Sequence, residues 1–250
     1  MSTPPQTPDS LSTDHLQADL KGRSVRGGAV TVLAQAAQFA INMVSTVVLA
    51  RLLTPADFGL VAMVTVLTGF AVMFAEAGLS VATIQRKDIT HSQISTLFWV
   101  NVGVGFVLML AIAASAPLLS WFYEEPRLVG ITLLIAAGFF VNGLGVQHEA
   151  LLRRQMRFRA LAIRRVTVVA TGAVVAVAMA WQGAGYWALV ASVRAAQLTR
   201  VPLAWIMVGW RPGLPRRGAD VRPMLTLGGN QAAANFVGHL SRSLDGVLIG

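Results

Sequence analysis

Four polar residues sit inside the first long apolar stretch of the chain. Gln35, Gln38, Asn42 and Ser45 are spaced three, four and three apart, which places them on one face of a helix. Their chemistry is hydrogen bonding. Hydrocarbon cannot hydrogen-bond an amide, so that face must meet other helices or a wet cavity. The last apolar stretch repeats the pattern: Gln231, Asn235, Arg242 and Asp245 fall close to one line, with His239 alongside. Arg242 and Asp245 could pair and merely pack a bundle, or they could line a cavity. Further cations occur in between. Arg194, Gln197 and Arg200 form a drifting polar stripe. Arg200 can snorkel to an interface. Arg194 lies nearer the middle of its stretch and is the strongest candidate for a buried functional cation, since an anionic substrate group would supply its partner. Glu76, with Thr65 and Thr68 on a similar face, reads either as a proton or cation site or as a solvated helix end.

Several chemistries are excluded. The chain has no cysteine, hence no disulfide, thiolate metal site or cysteine nucleophile. His15, His91, His148 and His239 are scattered without metal-ligand spacing. No G-x-x-x-x-G-K-[ST] sequence is present. Glu124 and Glu125 are adjacent, and neighbouring side chains diverge. No nucleophile and base set is found. The sequence therefore predicts neither an enzyme nor a bound cofactor or metal.

The elements that position these residues are membrane helices. Of 250 residues, 55% are hydrophobic and 12% charged, about half the charge of an ordinary soluble domain. A spanning helix needs about 20 mostly apolar residues. Six such spans are predicted at 29–53, 56–75, 94–119, 128–146, 166–181 and 186–208, and a seventh begins near Pro223 and runs to Gly250. Thr54-Pro55-Ala56-Asp57 supplies a cap, a first-turn proline and a carboxylate. Thr90-His91-Ser92-Gln93 is a capping-box pattern before the third span, and Pro126 could start the fourth. The expected fold class is an all-α polytopic membrane protein: a six-helix transmembrane lobe over 23–222, preceded by a disordered cytoplasmic tail over 1–22, and followed by a seventh helix over 223–250.

The net charge of +9 could suggest nucleic acid, but the basic residues sit between apolar spans and build no soluble face. Fifteen of the twenty Lys and Arg lie in the tail and in every second connection. By the positive-inside rule the amino terminus is cytoplasmic. Trp121, Trp181 and Trp187 fall at the outer ends of spans, and Trp99, Trp205 and Trp210 towards the inner ends, as interfacial belts do. Between the fourth and fifth spans, five of six arginines fall in one arc of a helical wheel over 151–165. An amphipathic helix over about 148–165 is expected on the cytoplasmic surface, anchoring the bundle to anionic membrane lipids or helping to recruit an anionic head group.

Four segments carry a resemblance: residues 50–59 (Ala-Arg-Leu-Leu-Thr-Pro-Ala-Asp-Phe-Gly), Glu76-Ala77-Gly78-Leu79 continuing to Arg86-Lys87, Leu152-Arg153-Arg154 with Arg157-Phe158-Arg159, and residues 242–250. In this order they resemble the polysaccharide-transporter, or Wzx-type, flippases of the multidrug/oligosaccharidyl-lipid/polysaccharide superfamily. The resemblance implies two lobes of helices around a central cavity that opens alternately inward and outward. The implied cargo is a lipid-linked oligosaccharide on a polyprenyl diphosphate, whose head group crosses a polar, often cationic cavity. Helices one and seven would line that cavity and bend as gates. It also implies the bacterial inner membrane, and a polysaccharide polymerase and chain-length regulator as partners. Such proteins have about twelve or more spans, so this sequence is expected to be the first lobe with the opening of the second. A cation-coupled drug antiporter of the same superfamily and a non-transporting membrane scaffold are the alternatives. The antiporter would want acidic cavity residues, and the spans offer only Glu76 and Asp245.

Overall fold

The structure is a computed structural model that describes residues 20–75, 83–84, 89–215, 225–226 and 228–230. The described residues contain six long helices and no strand: α1 (Leu20–Leu52), α2 (Pro55–Ala75), α3 (His91–Phe122), α4 (Arg127–Arg154), α5 (Phe158–Trp181) and α6 (Trp187–Val208). Each of the first six expected spans lies within one of them to within about a residue. From Gly27 onward, α1 is long and apolar enough to cross a membrane, as are α3, α4 and α5. The 22-residue α6, which carries the polar stripe of Arg194, Gln197 and Arg200, is not among these four. The seventh span lies largely outside the described residues.

Local chemistry sets the helix ends. The Asp57 carboxylate accepts from the Thr54 backbone N–H at 2.9 Å and from its hydroxyl at 2.7 Å, and Asp57 N–H donates back to Thr54 Oγ1 at 3.3 Å. This reciprocal cap satisfies donors that the first turn of α2 would otherwise leave open. Thr90 and Gln93 make the same exchange at the start of α3. Three helices end in Schellman turns, with the left-handed position occupied by Glu124 after α3, Met156 after α4 and Gly183 after α5. At α4, Arg157 N–H reaches Leu152 O at 3.1 Å and Met156 N–H reaches Arg153 O at 3.0 Å.

That turn corrects one expectation. The stretch 148–165 is not a continuous amphipathic helix. It is the last turns of α4 and the first turns of α5, joined by residues 155–157. The break rotates the second half relative to the first, so the arginine arc of a continuous wheel does not form. Arg153, Arg157 and Arg159 are exposed, whereas Arg154 and Arg164 are buried. Arg154 Nη1 donates to the Thr83 carbonyl at 3.0 Å, and Thr83 Oγ1 donates to Gln147 Oε1 at 3.0 Å.

Packing runs α1 on α5, α5 on α6, α6 on α4 and α4 on α3, with α2 lying against α3 and α4. The α3–α4 crossing is the most extensive. It depends on Gly105, where a Cβ would stand 2.5 Å from Phe139 O, and Gly143, where one would stand 2.7 Å from Asn101 O. Small residues let membrane helices approach this closely. One core cluster gathers the start of α3 and the ends of α4 and α6: Ile94, Leu97, Phe98, Leu151, Leu152, Val208 and Trp210. Trp210 is therefore core rather than interfacial, whereas Trp121 and Trp181 are among the most exposed large side chains. His148 stacks on Trp205, ring centroids 4.3 Å apart. Its Nε2 lies 3.2 Å from the Trp210 carbonyl oxygen. The chain leaving α6 is pinned to α3: Trp99 Nε1 donates to Gly213 O at 2.9 Å, Gly213 N donates to Ser95 Oγ at 3.0 Å, and His91 Nε2 lies 3.2 Å from Arg211 O.

Candidate functional site: a cationic cavity between α1, α4, α5 and α6

The polar face of α1 looks onto arginines. Gln35 and Gln38 line a cavity of about 320 Å³ together with Glu149, Arg153, Arg164, Arg165 and Arg200. A cavity of about 180 Å³ on the α4 side shares Glu149, Arg153, Arg164 and Arg200, and adds Asn142 and Gly145. A third, of about 250 Å³, carries Asn42 and Ser45 along α5 and α6 and again includes Arg200. Arg200 thus borders all three.

Four arginines meet one carboxylate here. Glu149 Oε1 accepts from Arg153 Nη2 at 2.6 Å and from its Nε at 3.2 Å, one helical turn away. Glu149 Oε2 pairs with Arg164 Nη2 at 2.6 Å across the α4–α5 junction. The Arg164 side chain is only 4% exposed, against 24% for Glu149 and 48% for Arg153. A guanidinium so enclosed requires an anion, because an unpaired buried charge is costly. Its Nε has no hydrogen-bond partner. Among the described residues Arg165 and Arg200 make no ion pair. The region carries a net excess of positive charge and amide donors, and so suits an anionic, hydroxyl-bearing ligand.

The sequence candidates divide between this region and its surroundings. Gln35, Gln38, Asn42 and Arg200 come together in it. Arg194 and Gln197 lie one to two turns away on α6 and line none of the three cavities. Arg194 Nη1 donates to Gln197 Oε1 at 2.9 Å, and the Gln197 amide lies directly over Gly138 of α4. Arg194 Nε and Nη2 are buried without partners. Glu76, Gln231, Asn235, Arg242 and Asp245 lie outside the described residues. Glu149, Arg153, Arg164 and Arg165 were not among the candidates. The four-residue spacing of Glu149 and Arg153 is a readable pair signal. Nothing in the sequence brings Arg164, fifteen residues on, to the same carboxylate.

Fold and site together define an all-helical polytopic membrane protein with an arginine-rich cavity between its helices. The chain belongs to the polysaccharide biosynthesis protein family, which residues 48–250 match. It is 25% identical over 236 residues to the lipopolysaccharide biosynthesis protein WzxC of Escherichia coli (strain K12), covering 92% of this chain and 47% of that protein. It is 29% identical over 241 residues to the teichuronic acid biosynthesis protein TuaB of Bacillus subtilis (strain 168), covering 95% and 48%. It is 28% identical over 171 residues to the succinoglycan biosynthesis transport protein ExoT of Rhizobium meliloti (strain 1021), covering 68% and 35%. The chain spans about half the length of the first two relatives. No solved structure matches it.

Proposed function

We propose that the chain forms one lobe of a transporter that flips a polyprenyl-diphosphate-linked oligosaccharide across the bacterial cytoplasmic membrane, for cell-surface polysaccharide or lipopolysaccharide synthesis. The carrying observation is the cavity: four arginines against one carboxylate, faced by the Gln35, Gln38 and Asn42 side of α1. A diphosphate needs cations in a place shielded from water, and a sugar chain needs amide and hydroxyl partners. The antiporter alternative fits less well, because the one carboxylate lining these cavities is already held by two arginines.

In this reading the amino terminus and the basic connections face the cytoplasm, so the arginine cluster is the inward mouth. Arg200 meets the diphosphate first. Arg194, six residues away and hence about 9 Å along α6, offers the next cation on the path, held in direction by Gln197. Gln231, Asn235, Arg242 and Asp245 would face α1 from the seventh helix, and Glu76 is the proposed coupling-ion site. The polymerase and chain-length regulator would receive the product on the far side, and anionic lipids would neutralise the exposed Arg157 and Arg159.

The test is Arg200→Ala in the full-length protein, in cells whose surface polysaccharide depends on it. Arg200 is exposed and, among the described residues, makes no ion pair, so its removal leaves the described fold intact. Exported polysaccharide is expected to fall at least about tenfold, the effect of losing one charge-assisted contact, at unchanged membrane abundance. Undiminished export would overturn the assignment.

A further inference from the structure

Glu149 has no obvious reason to face the cavity if the site exists only to hold an anion. Arg153 is half-exposed and needs no counter-ion. The buried Arg164 needs one, but a carboxylate packed into the core would serve it. Instead the carboxylate sits at the cavity wall, still 24% exposed, with one oxygen on each arginine. It lines both of the cavities that these arginines line. It occupies the two guanidinium groups as a bound phosphate would, bridging them through separate oxygens. Arg164 Nε stays unpartnered, and Arg165 and Arg200 stand by without acidic partners among the described residues.

We infer that Glu149 is a built-in competitor for the ligand's anionic group: it holds Arg153 and Arg164 until a phosphate displaces it, and it retakes them when the phosphate leaves. The inference rests on the reading of the cavity as a diphosphate site. A transporter must release what it binds. A fixed internal anion shortens occupancy by offering the arginines an alternative partner that never diffuses away, and its own charge repels the phosphate. A unit negative charge a few ångströms from a bound phosphate weakens binding by at least about tenfold at the effective dielectric of a protein surface, even after screening by salt.

The experiment measures binding of farnesyl diphosphate, a short prenyl diphosphate, to the full chain in detergent micelles by calorimetry. The amide of Glu149→Gln can still accept from Arg164 but no longer repels phosphate, so this variant is expected to bind at least about tenfold more tightly than the parent. Structural damage would weaken binding, so a gain separates competition from mere packing. Equal or weaker binding by a folded Glu149→Gln, with the parent still binding, overturns the competitor role and leaves the cavity reading standing. No binding by the parent overturns the cavity reading itself. If Glu149→Gln does not fold, the parent decides, labelled with ¹³C-glutamate: farnesyl diphosphate should shift a glutamate carboxylate band in the infrared difference spectrum as the ion pairs exchange. An unchanged band overturns the inference.

Discussion

The α3–α4 crossing fixes the helix that carries Glu149 and Arg153, and two glycines only two residues apart on α3 test how. A methyl group at Gly105 would stand 2.5 Å from Phe139 O and 3.2 Å from Phe139 C, both backbone atoms of α4. Ordinary van der Waals contact begins near 3.4 Å, so the helices would have to separate by close to 0.9 Å at the crossing. No side chain can rotate away to relieve this. Overpacking of that kind costs about 1–3 kcal/mol. At Gly103 the added methyl meets nothing within 4 Å, and alanine there recovers the helix propensity that glycine lacks, about 0.8–1 kcal/mol. Alanine at Gly105 makes the same propensity gain but carries the overpacking cost besides, so Gly105→Ala should be less stable than Gly103→Ala by about 1–3 kcal/mol. The assay is reversible unfolding in mixed micelles, followed by tryptophan fluorescence and far-ultraviolet circular dichroism. If Gly105→Ala proved as stable as Gly103→Ala, the close approach of these two helices would be refuted.

Met156 holds a left-handed conformation at φ 50°, which costs a side chain about 1–2 kcal/mol. Met156→Gly should raise stability in the same assay by about 0.5–1 kcal/mol, after discounting glycine's greater freedom in the unfolded chain. Glu125, in the exposed turn before α4, takes both Nε and Nη2 of Arg127 at 2.7 and 2.8 Å. The Arg127 guanidinium holds its carboxyl below the usual carboxylate range. Because the folded value is the depressed one, the contribution is present above the unfolded value and is lost as pH falls through the folded value. A pH titration of stability should show this acid-side loss in the parent and not in Arg127→Gln.

Helix ends were legible where a side chain makes the cap. Thr54 with Asp57 and Thr90 with Gln93 announce their turns through short-range hydrogen bonds that spacing alone specifies. The polar face of α1 was legible for the same reason: three, four and three residues is a helical period. The end of α4 was not. Left-handed turns are usually announced by glycine, as Gly183 announces the end of α5, but at 156 the residue is methionine and a helical wheel runs straight through it. The burial of Arg164 depends on that turn and on Glu149 of another helix, so no local pattern carries it. Trp210 and His148 follow the same logic. Their aromatic packing against Phe98 and Trp205 joins residues from three helices and the chain after α6. Charge counts gave an expected orientation for the connections and did not point to the cavity, because the arginines that line it look in sequence like any basic membrane flank.

The pinning of residues 211–213 to the start of α3 also bears on how the lobe is made. His91 and its partner carbonyl on Arg211 are 120 positions apart in the chain. At synthesis rates of about 5–20 residues per second, Ser95 and Trp99 enter the membrane some 6–24 s before the backbone groups that satisfy them exist. During that interval the Trp99 indole lacks the carbonyl it will bond, the Ser95 hydroxyl has only His91 Nδ1 of its own helix at 3.4 Å, and the nascent helix must hold its place by hydrophobicity and its own Thr90–Gln93 cap. The lobe is thus stitched shut by one of its last segments to be translated, and a ribosome stalled within α6 would leave every earlier helix inserted and the bundle still open at that end.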